Sequence, residues 1–271
     1  MSVASAAYLY QRGAAIVWAS LGGLAVAALV FTVLEIALPW RADWTPTLRE
    51  VGWDAMHLGF IQAVVRPVTR LVLVAGFTGA VALLNAEGAL AQRPDLSGAP
   101  LVVQVTVTML LADALFYTGH RLMHRFGQLW RFHIIHHAPR SLYWLRSIRL
   151  HFVDVAFMAM LNLTALSVIR VQPFATLLAV VSATMMSMLH HANIRLDLRW
   201  LSFVIMPPEL HRGHHSTILE DEQSNYSLVF TIWDRLFGTL RMSDTRDVGA
   251  AVETRRPVTF VDDLVFPWRL K

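Results

Sequence analysis

The sequence contains no cysteine, and this absence limits the metal chemistry open to the chain. Disulfides, thiolate metal sites and iron–sulfur clusters bound by cysteine are excluded. Any metal site must therefore use nitrogen and oxygen ligands. Lysine is almost absent as well, since Lys271 is the only one, and the formal net charge of +4 comes from arginine. These arginines are spread along the chain, which predicts contact with anionic lipid headgroups and no nucleic-acid partner.

Charged residues of either sign are scarce. They make up 15% of the 271 residues, whereas hydrophobic residues make up 55%, a balance outside that of ordinary soluble domains. Apolar runs cover residues 14–40, 64–84, 101–119, 152–169 and 171–189, and about 20 apolar residues are needed to cross a bilayer. The first run is too long for a signal peptide and is followed by no small-residue cleavage site. The sequence predicts an all-α integral membrane protein, a bundle of about four to five transmembrane helices.

Arginines indicate how this bundle is oriented. They flank the histidine-rich segments, whereas the loop at 87–100 carries little positive charge. The positive-inside rule therefore places the histidine side in the cytoplasm and predicts a multi-pass protein of an inner or cell membrane. We expect an N-terminal transmembrane region (1–100), a histidine-bearing domain (101–240) and a C-terminal cytoplasmic tail (241–271).

Histidines are concentrated in short blocks. The chain has twelve, and all except His57 fall between positions 120 and 215. The blocks "HRLMH", "HIIHH" and "HRGHH" place imidazoles three or four residues apart, on one face of a helix. A lone histidine such as His57 is more typical of a core position. The blocks contain eight histidines: His120, His124, His133, His136, His137, His211, His214 and His215.

Metal binding explains these blocks best. Neighbouring imidazoles repel one another when protonated, and a metal ion relieves this by taking up their lone pairs. Eight imidazoles exceed the four ligands of a structural zinc site and the three of a catalytic one, so they could hold two metal ions. Ligand type does not choose among iron, zinc, copper and nickel.

Longer motifs around the blocks show a family resemblance. "DALFYTGHRLMHRFGQLWRFHIIHHAPRS", "HHANIRL", "PPELHRGHHS", "NYSL" and "WDRLFGT" resemble the fatty acid hydroxylase/sterol desaturase superfamily of membrane di-iron enzymes, over about residues 110–239. The resemblance implies two iron ions in a cytoplasmic histidine-rich cap above the helices. It also implies O2 as co-substrate and hydroxylation or desaturation of a lipid, such as a fatty acyl or sterol-like chain.

The resemblance also extends the candidate ligand set. The eight block histidines are carried over, His191 of "HHAN" matches a further family ligand, and His151 of "HFVD" matches another. The chain departs from the family pattern in three places. Arg195 stands where several relatives have histidine, "HFVD" has Phe152 for a proline and Asp154 as a shorter acid, and Ser227 replaces a glycine.

Three further residues are expected in a catalytic role. Asp113 and Tyr117 share one helical face with His120 and His124, and a carboxylate within a spanning segment indicates a functional site. We expect Asp113 to orient the imidazoles and to offset the metal charge; pairing with an arginine is the alternative. Asn193 is the third. Weaker candidates for the supporting carboxylates are Asp154, Glu209 and Asp234.

No haem, flavin or dinucleotide motif is present, so electrons must come from an external donor, a separate reductase or electron carrier. Two other functions stay open. A membrane metal transporter would place its ligands near the middle of the spans. A zinc-dependent membrane hydrolase would need only three ligands and a general base.

Overall fold

A computed structural model describes residues 3–72, 93–243, 247–251 and 259–270, with side chains from Trp18 onward. Within these ranges the chain is helical and forms no β-strand, only isolated bridges. The prediction of an all-α protein is confirmed. The helices are α1 (Val3–Ala37), α2 (Leu48–Phe60), α3 (Leu101–Arg125), α4 (Gly127–His137), α5 (Phe152–Val168), α6 (Pro173–His191), α7 (Pro208–His214), α8 (Leu219–Glu222), α9 (Ile232–Leu236) and α10 (Phe260–Val265).

Three of these helices are long and apolar enough to cross a membrane: Trp18–Ala37 within α1, all of α3, and all of α6. Helix α5 is also apolar but has only 17 residues. The predicted span at 64–84 begins in backbone that is helical to residue 72, and the rest of that prediction lies outside the described residues. The membrane character expected from composition is therefore confirmed.

Local sequence signals fix where several helices begin. Thr47 and Glu50 form a reciprocal capping box at the start of α2, and Pro173 and Pro208 occupy the first turns of α6 and α7. Proline suits this position because its missing N–H would have no partner there. The histidines then fall in the last two turns of α3, α4, α6 and α7, with His215 directly after α7. The C-terminal end of a helix carries partial negative charge, so four such ends favour a cation where they meet.

Helices α3 and α5 approach each other closely at Gly119. A Cβ atom at this position would overlap the side chain of Leu161 and lie 3.0 Å from Sδ of Met158. Glycine therefore leaves room for these two side chains of α5, and a larger residue here would force them to move. Gly119 directly precedes His120, so this packing lies beside the histidines.

The end of the bundle opposite to the histidines is held by polar contacts. The Gln104 side chain accepts a hydrogen bond from the backbone N–H of Gln172 (2.8 Å), which sets the starts of α3 and α6 at one level. Asp95 and Arg170 form an exposed ion pair at 2.9 Å beside them. These contacts mark the far surface of the bundle.

Helix α1 and the C-terminal segment are both fastened to the histidine-bearing end. Glu35 of α1 accepts hydrogen bonds from the backbone N–H groups of Trp144 (2.7 Å) and Asn193 (2.9 Å). Asp263 of α10 forms a buried ion pair with Arg149 (2.9 Å). Parts of the chain far from the histidines in sequence thus hold the site in place.

Candidate metal centre

Nine buried histidines form two adjacent groups at the ends of these helices. Within each group, one ligand nitrogen from every histidine lies within 4.8 Å of the others. The rings of His137 and His215 stack at 4.3 Å between centroids and connect the two groups. The first group contains His120, His124, His133, His137 and His214, and the second contains His136, His191, His211 and His215.

The helical spacing of the blocks explains the grouping. His120 and His124 lie one turn apart on α3 and enter the same group, as do His133 and His137 on α4. His136 is offset by about 100° from its neighbour on the helix and enters the other group. One block thus supplies both groups.

Several pairs of ring nitrogens are closer than metal-free imidazoles would favour. Nε2 of His120 lies 3.0 Å from Nε2 of His214, while Nδ1 of each donates a hydrogen bond to a backbone carbonyl. Each Nε2 therefore carries a lone pair, and the two lone pairs face each other. His136 and His191 repeat the arrangement at 3.1 Å, again with both Nδ1 atoms bonded to carbonyls. Two nitrogens about 2.1 Å from one metal ion and at right angles are about 3.0 Å apart, so a cation between them fits the donors.

Other ring nitrogens in the groups lack any hydrogen-bond partner although they are buried. They are both nitrogens of His124 and of His137, Nε2 of His133, and Nδ1 of His211. A buried polar atom without a partner costs about 1–3 kcal/mol, and native proteins rarely leave several together. Metal coordination would satisfy those that face the centre of each group.

The partners of Nδ1 orient the rings. His133 donates to the Asp154 carboxylate at 2.7 Å, His120 donates to the carbonyl of Tyr226 at 2.8 Å, and His214 donates to that of Ser224 at 2.6 Å. Such contacts are typical of metal-bound histidine because they fix the tautomer that leaves Nε2 free for the metal.

Burial keeps the imidazoles neutral. Burial first, and the neighbouring His133 second, lower the pKa of His214 to about 3. The pKa values of His136, His137, His211 and His215 are also shifted well below the ordinary value, first by burial and then by adjacent histidines. Neutral imidazole is the form that binds metal, so the site holds its ligands ready for metal binding.

The structure does not bring His151 into either group. It precedes the first turn of α5, where its Nδ1 accepts the N–H of Val153 at 3.2 Å, and its Nε2 donates to the carbonyl of Leu264 at 3.2 Å. One ring nitrogen therefore caps the start of α5, and the other forms a hydrogen bond to the C-terminal segment. His190 also lies outside the groups, with its Nε2 bonded to the carbonyl of Met206.

Asp113 is buried, but it does not contact an imidazole as the sequence led us to expect. Its carboxylate accepts hydrogen bonds from the backbone N–H groups of Leu228 (2.8 Å), Val229 (3.0 Å) and Phe230 (2.7 Å). Asp113 thus holds the loop that follows Tyr226, whose carbonyl orients His120. Its influence on the histidines is indirect.

Tyr117 and Asn193 likewise form structural contacts. The Tyr117 hydroxyl lies 3.0 Å from Oγ1 of Thr239 and accepts a hydrogen bond from Arg121. The Asn193 side chain bonds to both the N–H and the carbonyl of Arg41. These interactions connect neighbouring segments of the chain. The polar atoms of Tyr117 and Asn193 are therefore not directed at the histidine nitrogens.

The carboxylates beside the rings are Asp154 and Glu222. Asp154, a weaker candidate from the sequence, contacts His133. Glu222 was not singled out from the sequence; its Oε1 lies 3.8 Å from Nδ1 of His137, and burial raises its pKa to about 7. The only signal was its place in the acidic run "LEDE", which does not show which acid is buried. Of the other two candidates, Glu209 accepts the N–H of Leu198 and Asp234 accepts those of Tyr226 and Ser227.

Comparison with known proteins identifies the family. The model of the fatty acid hydroxylase family matches residues 105–239, about half of the chain and the part that contains all nine grouped histidines. The chain belongs to the fatty acid hydroxylase/sterol desaturase superfamily. The prediction from the motifs is confirmed.

Curated relatives of this superfamily include hydroxylases of different lipids. The chain is 28% identical over 237 residues to the ornithine lipid hydroxylase OlsE of Rhizobium tropici, covering 86% of this chain and 70% of that protein. It is 26% identical over 230 residues to the cholesterol 25-hydroxylase of Mus musculus, with 79% and 72% covered. A shorter match of 131 residues, 26% identical, relates 48% of this chain to 26% of the alkylglycerol monooxygenase of Caenorhabditis elegans. No solved structure matches the chain significantly.

Proposed function

We propose that this member of the fatty acid hydroxylase superfamily is a multi-pass membrane monooxygenase with two iron ions, which uses O2 to hydroxylate a C–H bond of a lipid. The observation that carries the proposal is the pair of histidine groups in which Nε2 atoms of different histidines face one another at 3.0–3.3 Å. The names of the relatives support lipid hydroxylation in particular.

The number of ligands supports two metal ions with redox chemistry. A single zinc ion takes three or four protein ligands, and nine buried imidazoles would leave at least five unexplained. All-nitrogen ligation suits iron. Bound iron would supply electrons to O2, and O2 needs these electrons to react with an unactivated C–H bond.

The chain's own residues would position these ions and keep the site dry. His120, His124, His133, His137 and His214 would hold one ion, and His136, His191, His211 and His215 the other. Asp154 would hold the ring of His133, and the buried carboxylate of Glu222 would offset part of the positive charge near His137. His151 is not part of the proposed ligand set.

Hydroxylation of R–H to R–OH with O2 also forms one water and consumes two electrons and two protons. The sequence contains no motif for a resident electron carrier, so we propose a separate reductase or carrier protein. The arginines around the histidine end support a cytoplasmic orientation and a docking face for that donor. Because two of the histidine-bearing helices, α3 and α6, are themselves candidate membrane spans, the substrate would be an acyl or sterol-like chain that enters from the bilayer. Residues 101–240 would form the catalytic domain, between a transmembrane region and a tail.

Metal analysis of the purified protein tests this proposal. We expect two irons per chain and O2-dependent hydroxylation when membranes that contain the protein receive lipid and a reductant. The variants His136→Ala and His214→Ala should lose iron and activity, whereas His151→Asn should keep both, because asparagine can replace the helix cap. A single zinc would indicate a hydrolase, and metal uptake into sealed vesicles would indicate a transporter; either result would overturn the proposal.

A further inference from the structure

After α6 the chain remains in contact with the helix bundle. Residues 199–206 and 226–239, here called the return segment, run back along α3 toward the far end of the bundle. Their backbones are joined: Ile205 and Phe230 form an antiparallel bridge, and Met206 donates to the carbonyl of Val229 at 2.8 Å. The apolar runs of the sequence end at residue 189, so the sequence predicted no further membrane span in this part of the chain.

The depth of the return segment follows from its contacts with α3. Gln104 and Gln172 mark the far surface of the bundle, and Asp113 lies nine positions after Gln104. At 1.5 Å per residue this is about 14 Å along the helix, close to the middle of a hydrocarbon core about 30 Å thick. Asp113 accepts the N–H groups of Leu228, Val229 and Phe230. The backbone at 228–230 therefore lies at the depth of the acyl chains.

The hydrogen bonding of this backbone is what such a depth requires. Non-helical chain is tolerated in the bilayer only where protein groups satisfy its N–H and C=O groups. Besides the three bonds to Asp113, Thr231 donates to the carbonyl of Val204 at 3.1 Å, and its hydroxyl donates to that of Ser202 at 2.9 Å. Asp234 accepts the N–H groups of Tyr226 and Ser227.

From its deepest point the return segment rises again. Phe230 is at the level of Asp113, whereas Thr239 contacts Tyr117, one helical turn nearer the histidines. Phe237 stacks on Tyr117 at 5.3 Å between ring centroids. Arg235 lies on this rising part, and its guanidinium donates a hydrogen bond to the carbonyl of Ser202 at 2.8 Å, so the backbone of the segment partly compensates its charge.

Most of the exposed side chains of the return segment are apolar, with Arg199 and Arg235 as the charged exceptions. Phe203 is 81% exposed and Leu236 is 68% exposed, fractions that in water would create an aggregation-prone patch. The exposed apolar side chains are Trp200, Phe203, Val204, Ile232, Leu236 and Phe237.

We propose that the return segment is embedded in the bilayer, and that its exposed apolar side chains contact lipid acyl chains. The depth set by Asp113 selects acyl chains as the occupant, in preference to a soluble partner. This proposal is independent of which metal the site binds and of which lipid is oxidised.

The absence of cysteine allows a direct test with single-cysteine variants. Phe203→Cys and Leu236→Cys would be spin-labelled, reconstituted in phosphatidylcholine vesicles, and measured for collision with O2, which concentrates in lipid, and with a water-soluble nickel chelate. Two controls calibrate the scale. Val180, the site of the first control Val180→Cys, is 50% exposed on α6 at a similar height. Glu220, the site of the second control Glu220→Cys, is exposed on α8.

We expect the labels at Phe203→Cys and Leu236→Cys to behave like the label at Val180→Cys. Their ratio of O2 to nickel-chelate collision rates should be at least tenfold higher than the ratio at Glu220→Cys. Nickel accessibility like that of Glu220→Cys would overturn the proposal and place the segment in water. Protection from both reagents would also overturn it, because a second copy or another protein would then cover the face. If either variant does not fold, Trp200→Cys and Ile232→Cys probe the same face.

Discussion

Nε2 of His120 lies 3.0 Å from Nε2 of His214, although 94 positions separate the two residues. Neither nitrogen carries a proton, because each Nδ1 donates to a carbonyl oxygen. In the absence of a cation the two lone pairs repel each other. We therefore predict that a metal ion bound between them stabilises the folded arrangement of α3 and α7.

Removal of the metal should destabilise the protein. A ligand that binds only the folded state at 100 times its dissociation constant contributes about 2.7 kcal/mol, so treatment with a strong chelator should lower the thermal unfolding midpoint by several degrees. Restoring ferrous iron should reverse the change. An unfolding midpoint that does not respond to chelation, in a sample shown to lose its metal, would contradict this coupling.

Replacing Asp154 with asparagine should weaken metal binding. The carboxylate accepts the hydrogen bond from Nδ1 of His133 at 2.7 Å, and loss of such a partner typically costs 10–100-fold in metal affinity or activity. Competition with a chelator of known affinity measures the effect. The control is Asp197→Asn, which removes an exposed carboxylate paired with Arg199 and should leave metal affinity at the parental value.

The variant Asp113→Asn separates a structural role from a catalytic one. Its amide nitrogen cannot accept the N–H of Phe230, so we expect a loss of about 1–3 kcal/mol in the free energy of unfolding, with turnover per bound iron close to the parental value. Thr118→Ala, an exposed change on the same helix, should have little effect. Unchanged stability with abolished turnover would instead restore the catalytic role that the sequence suggested.

Asp263→Ala should be much more damaging than loss of a surface ion pair. Asp263 pairs with Arg149 at 2.9 Å and with His57 at 2.8 Å, and all three are buried. Removing one partner of a buried pair costs about 3–5 kcal/mol. Because the carbonyl of Arg149 accepts the hydrogen bond of His136, iron occupancy should fall as well.

The matched control for that variant is Arg170→Gln, which breaks the exposed pair with Asp95 and should cost less than about 1 kcal/mol. Denaturant unfolding and iron analysis of both variants provide the comparison. Equal effects of the two changes would show that the C-terminal segment does not support the metal centre.

The histidine blocks were readable from the sequence because their spacing matches one turn of a helix. The grouping across helices was not, since it depends on where α3, α4, α6 and α7 end. His136 and His137 are adjacent in the chain and enter different groups. Periodicity shows which histidines share a face of one helix. The family resemblance was needed to predict that histidines of separate helices form one site.

Asp113 and His151 show what residue type and spacing alone do not predict. Asp113 shares a helical face with His120, as predicted, yet its partners are backbone groups more than a hundred positions away. His151 matches a family motif, but at the start of α5 its ring serves as a cap. In both cases residue type and spacing were correct, and the tertiary partner decided the role.

The contribution of α7 to both histidine groups constrains the order in which the protein is assembled. His214 belongs to one group and His211 and His215 to the other, and all three are synthesised after α6. In the proposed metal centre, neither set of ligands is complete until the chain through His215 has emerged from the ribosome. We therefore expect full metal loading to be a late event in biogenesis.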